Sequence, residues 1–218
     1  MSASGYWLIG EIDDGAATSL VPSFERWRDQ VEADPGFRRC RSAWEATDDV
    51  LAHVTRTKSG DSSVLDLDDD ARAIDELFST YQPSNDLFME CANLVAPNEI
   101  WELQGDRPSE PLTTAMIGTR KLAPLSLVFV ALGPVASQAI PGLLGNFALA
   151  SAQTAERADA IADVLGSDVQ ELVQRAEVWM ATGDEPLLDP TDLLAALPIM
   201  FQGARNTGRG IVSVTTTF

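Results

Sequence analysis

The 34 residues from Leu122 to Ala155, LAPLSLVFVALGPVASQAIPGLLGNFALASAQTA, hold no charged side chain, in a chain of 218 residues with a formal net charge of −18. Such a stretch must leave water, either into a bilayer or into a protein interior. One helical crossing takes about 20 apolar residues and a hairpin about twice that, so the length suits a single crossing only. The best window, Leu122 to Pro141, carries Pro124, Pro134, Gln138 and Pro141, and each proline removes a helical donor and crowds the preceding turn. The sequence therefore predicts burial inside a soluble fold, with membrane insertion disfavoured. LSLVFVAL (Leu125–Leu132) reads as a strand buried on both faces because it lacks polar alternation. The Gly-Pro and Pro-Gly pairs beyond it mark a packed connection and a helix.

The charge is unevenly spread. Residues 1–110 hold 23 acids against 9 bases, and residues 111–218 hold 10 against 6. An acidic field repels phosphate backbones, which excludes DNA and RNA as natural ligands. It favours a basic protein partner, unless it serves solubility alone. Cys40 and Cys91 are too far apart for a CxxC pair or a zinc-ligand spacing, so no metal or other cofactor is predicted and both thiols read as free and buried. The segment MSASGYWLIGEIDDG lacks the basic and apolar regions of a signal peptide, which predicts a cytoplasmic location.

Along the chain, SGYWLIGEID reads as a strand and PSFERWRDQVEAD as a helix starting at Pro22 or Ser23, with Pro35-Gly36 as its stop. Phe37–Trp44 and Asp49–Thr57 read as a hairpin. Asp66, Asp68 and Asp70 alternate as in a calcium loop, but Ala71 and Leu77 stand where an EF-hand needs Gly and Glu. Asp68 or Asp69 is better read as the cap of a helix over Asp69–Thr80. A strand follows at Asn98–Gln104. DRPSEP (Asp106–Pro111) is the best linker, and predicts an N-terminal domain over 1–105 and a second over 112–218, with one continuous fold as the alternative. The second half reads as mainly helical, with the buried strand noted above. Asp189-Pro190 starts its last helix, which Pro198 should kink, and GIVSVTTTF makes a terminal strand.

No GxSxG, HExxH or phosphate-loop motif is present, and a single histidine excludes sites needing two. His53 suits proton transfer near neutral pH, or is a hydrogen-bonded structural residue. Trp7, Trp44 and Trp101 fall on three predicted strands, where they line one cavity wall or supply core bulk.

The predicted order of the first 105 residues is the ferredoxin-like βαββαβ arrangement. Within it, FERWRDQVEADPGFRRCRSAWEATDDVLAHVTR resembles the dimeric α+β barrel families, including antibiotic biosynthesis monooxygenases, in its PGF turn between a helix and two strands. The resemblance implies an α+β fold, a homodimer, and a cavity between sheet and helices that holds a small hydrophobic or aromatic molecule, in some members oxygenated without metal or flavin. On that reading His53 moves a proton, Glu11 or Arg41 orients a polar group, and Trp7, Trp44 and Trp101 stack on the substrate. The competing reading is an immunity or inhibitor protein whose acidic surface neutralises a basic partner.

Overall fold

The computed structural model describes residues 5–59, 62–95, 100–102, 113–183 and 188–217, with the backbone alone at 55–59, 62–66 and 100–102. The chain opens on β1 (Gly5–Ile12), followed by α1 (Asp14–Ala33), α2 (Pro35–Ala46) and a 3-10 turn at Val50–His53. Next come β2 (Val54–Ser59), β3 (Ser62–Leu67), α3 (Asp69–Thr80), α4 (Asn85–Ala92) and β4 (Ile100–Glu102). The remainder is β5 (Thr114–Thr119), α5 (Pro124–Ala136), β6 (Phe147–Leu149), α6 (Ser151–Gly166), α7 (Val169–Gly183), α8 (Pro190–Thr207) and β7 (Gly210–Thr217). The fold is mixed α+β.

Five strands form one sheet in the order β4-β5-β1-β7-β6. β1 pairs antiparallel with β5 on one edge and with β7 on the other. Strands from beyond residue 112 thus flank the first strand, and the sheet is a joint product of both halves. The linker expected at Asp106–Pro111 lies outside the described residues.

Alternation along β1 sorts the core into two layers. Trp7 and Ile9, with Ala115, Ile117 and Ile211, face the layer built by α5, α6, α7 and α8. Leu8 and Ile12, with Val212 and Val214, face α1 and α4 through Leu20, Phe24, Trp27, Leu87 and Phe88.

The N-terminal half departs from the expected βαββαβ order. Asp34 caps α2 by accepting from Gly36 N at 2.7 Å, and Pro35 occupies its first turn. Phe37, Cys40 and Trp44 then share one buried helical face, so the strand expected at Phe37–Trp44 is a helix. The hairpin forms one element later, between β2 and β3, and stays a separate two-stranded sheet. Nor does α1 wait for Pro22: Asp13 accepts from Ala16 N at 2.8 Å and starts the helix eight residues earlier, with Pro22 carried inside it.

LSLVFVAL is also helical. A uniformly apolar run shows no periodicity, and either a helix or a strand buried on all sides satisfies it. Pro124 at the first turn favours the helix, and nearly every residue from Pro124 to Ala131 is buried. The regular helix gives out at Gly133, where φ is 76°. Ahead of that break, Arg175 of α7 donates to the carbonyls of Ala131 at 2.8 Å and Val130 at 3.2 Å and pairs with Asp49 at 3.0 Å. The terminal strand occurs as expected in β7, which is buried along nearly its whole length. Asp189 caps α8 as expected, while Pro198 lies inside a continuous helix. Among the described residues, no helix is long and apolar enough to cross a membrane.

Candidate functional site

The structure distributes the residues singled out from the sequence over several surroundings. Trp7 is fully buried, and its Nε1 donates to Ser213 Oγ at 2.9 Å. Glu11 lies on the same face of β1, buried at 2% exposure, with the Thr207 hydroxyl 3.0 Å from Oε2 and Arg209 Nε at 3.9 Å. Trp44 belongs to α2 and meets Phe78 and Phe129 at ring separations of 5.7 and 6.3 Å. Arg41 is an exposed member of an ion-pair chain on α2, bonded to Glu45 at 2.7 Å and Glu32 at 3.4 Å.

His53 closes the 3-10 turn, its Nδ1 2.8 Å from Asp68 Oδ2. Asp68 is the cap of α3. The Ala71 backbone N–H, helped by His53, holds its carboxyl below the usual carboxylate range. Trp101 pairs through its backbone with Ala115, and its side chain lies outside those described. Among the described residues, none of this set lines the three grooves described below. Both cysteines are buried, and burial pushes the Cys91 thiol up to about 12. Among the described residues, no group of three His, Cys, Asp or Glu side chains could hold a metal ion.

A different concavity is better built for recognition. It is a trench of about 280 Å³ with α1 as one wall, through Phe24, Glu25, Trp27 and Arg28. The opposite wall runs from Pro141 through β6 to Gln153 and Arg157 of α6. A neighbouring hollow of about 330 Å³, lined by Ala17, Thr18, Pro22 and Ala150, shares Val21 and Gln153 with it and prolongs the trench along α1.

The loop ahead of β6 owes its shape to left-handed backbone. Gly142 and Gly145 each have φ of 76°, and Leu144 has φ of 51°. A Cβ on Gly142 would stand 2.1 Å from Asn146 O, so only glycine closes this turn. A non-glycine residue in that conformation is strained and persists when its surroundings over-determine it.

Those surroundings are hydrogen bonds. Asn146 is buried; its Oδ1 accepts from Thr215 N at 2.7 Å and Thr215 Oγ1 at 2.9 Å, and its Nδ2 donates to the carbonyls of Leu143 and Leu144. Ser213 Oγ donates to Gly145 O at 2.7 Å. The loop is thereby fastened to β7 from beneath. At the far end, Asp14 of α1 caps α6 in place of that helix's own Ala150, accepting from Ser151 N at 2.7 Å and Ser151 Oγ at 2.9 Å. Both walls of the trench are therefore rigidly joined.

Electrostatically the trench differs from the chain around it. Arg28 and Arg157 line it against a single acid, Glu25. Arg28 shares its charge with Asp29 at 3.6 Å, while Arg157 is exposed and makes no ion pair among the described residues. Trp27 also forms part of a second groove of about 360 Å³ between α1 and α4, with Ser23, Arg26, Gln30 and Glu90. Its Nε1 is buried with no hydrogen-bond partner among the described residues. Such a group costs about 1–3 kcal/mol, and it sits in the wall that separates the two grooves.

Sequence reasoning passed over Phe24, Arg28, Asn146 and Arg157. The signal within reach was PGLLGN, a glycine-rich turn inside an otherwise featureless apolar run. Compared with known proteins, the chain matches no family model, no curated protein and no solved structure.

Proposed function

We propose that this chain is a binding protein for an amphipathic anionic ligand, held in the trench between α1 and β6. The observation that carries the reading is the coincidence of an aromatic and aliphatic lining, Val21, Phe24, Trp27, Leu143 and Ala148, with Arg28 and Arg157. Ligand sites are concave and mostly apolar, with a few polar groups that fix orientation. An apolar body would lie along α1, and a carboxylate would turn to the guanidinium groups, which suit planar bidentate acceptors.

This keeps the hydrophobic small molecule expected from the sequence and moves it from the sheet interior to the α1 surface. Oxygenation chemistry drew its support from the ferredoxin-like order, from which the element order departs, so binding is the part of that resemblance we carry forward. The reading is tested by thermal denaturation with a series of alkyl and aryl carboxylates. At ten times Kd, ligand binding should add about 1.4 kcal/mol and raise Tm by roughly 3–6 °C. The shift should vanish in Arg157→Ala; an equal shift in that variant would remove the arginine from the site, and no shift with any carboxylate would end the reading.

The second reading, capture of a basic protein by the acidic surface, rests on the net charge of −18. It predicts partner capture that falls steeply from low to high salt, because exposed charges are screened beyond a Debye length of about 8 Å at physiological ionic strength. Salt-independent capture would count against it.

A further inference from the structure

We propose that the occupant of the trench is a short extended acidic peptide that adds as a strand to the open edge of β6. The inference rests on the binding function proposed above and names its ligand class. Among the described residues, β6 is the last strand in the sheet order, bonded to β7 on one side only. Phe147, Ala148 and Leu149 all line the trench. Successive side chains of a strand point to opposite faces, so a groove that reaches three residues in a row runs along the backbone edge.

The orientation of that backbone follows from Gly210. A Cβ placed there would lie 2.3 Å from Leu149 O, which puts the Leu149 carbonyl on the β7 side. In an antiparallel ladder the next residue turns its N–H and C=O the other way. Ala148 therefore presents a donor and an acceptor to the trench, with no partner among the described residues. Addition of a strand to such an edge takes affinity from main-chain bonds and specificity from alternate side chains.

Charge selects the sign of the peptide. Arg28 and Arg157 face the groove against Glu25, so acidic side chains or a terminal carboxylate find two guanidinium partners there, and basic ones a single carboxylate. The local preference thus opposes the one suggested by the whole-chain charge. An edge of three residues is short, which limits spontaneous pairing between copies. The hollow beside Ala17 and Gln153 gives a longer peptide somewhere to continue.

The test is selection from a display library of random octapeptides against the wild-type chain, followed by fluorescence anisotropy on the enriched sequences. Enrichment of acidic sequences with alternating β-branched residues is expected, with at least tenfold weaker binding when alternate backbone amides are N-methylated. Ala148→Pro, a substitution tolerated where the N–H faces away from the ladder, should abolish peptide binding, and Arg157→Ala should weaken it at least fivefold. If the proline variant fails to fold, the methylated peptides on the wild type carry the test. Undiminished binding of methylated peptides, or enrichment of basic sequences or of none, overturns the inference. Carboxylates that still bind the wild type in that case leave the binding function standing, whereas their failure removes both. Self-association of the wild type that is lost in Ala148→Pro would overturn the peptide in favour of a second copy of the chain.

Discussion

The two faces of the central sheet are built to different standards. On the side of α5 to α8, two buried indoles are satisfied: Trp7 Nε1 reaches Ser213, Trp179 Nε1 reaches Ser126 at 3.2 Å, and Ser126 in turn reaches Ala123 O at 2.7 Å. Thr47 Oγ1 and Gln82 Oε1, at the ends of α2 and α3, are nonetheless buried with no partner among the described residues. On the side of α1, the walls carry open grooves, an indole N–H without a partner among the described residues, and arginines facing solvent. A buried polar group left unpaired is costly, so the first face reads as scaffold and the second as the place where something else completes the contacts. Stability and recognition are thus divided across a single sheet.

The largest test of this contrast is Asn146, which joins the faces. Replacement by Ala would strand the buried N–H and hydroxyl of Thr215 and release the left-handed loop, at a cost of about 3 kcal/mol. Urea denaturation measures it, and a loss under 1 kcal/mol would mean that the loop holds its shape without Asn146. Next comes one substitution made on both sides. Trp7→Phe removes a satisfied hydrogen bond, whereas Trp27→Phe removes an unsatisfied donor, so the first should cost about 1–2 kcal/mol more than the second; equal costs would erase the distinction between the faces. Asp14→Ala removes the borrowed cap of α6 and should cost about 1 kcal/mol, with carboxylate binding weakened as the trench wall loosens. The smallest effect belongs to Arg157→Ala, within about 0.5 kcal/mol of wild type in stability, and a larger loss would make this arginine part of the scaffold.

Two identical dipeptides show how far the sequence could be read. Asp189-Pro190 and Asp34-Pro35 both place a capping carboxylate before a proline in the first helical turn, and both start helices. The first was legible because apolar residues at helical spacing followed. The second was masked by Gly36 and by RRCR, which interleave charge and suggest alternation, although Phe37, Cys40 and Trp44 kept the helical period. The α3 cap at Asp68, the α8 start and the terminal strand were local signals and could be read directly. The helix at Pro124–Ala136 could not, since a segment buried all round leaves no polar stripe. The trench was the least legible feature. Its walls come from positions near 25 and near 150, and long-range pairing of β1 with β7 and of β7 with β6 is what brings them together.

The place of β1 in the sheet has a consequence for synthesis. Its residues pair with partners up to about residue 217, the end of β7. At roughly 5–20 residues per second on the ribosome, Trp7, Leu8, Ile9 and Ile12 wait on the order of 10–40 s for the strand that covers their second edge. Topologies dominated by such distant contacts also fold slowly once complete. The newly made chain therefore exposes an apolar strand until β7 emerges, and its dense acidic charge is well placed to keep nascent copies apart during that interval.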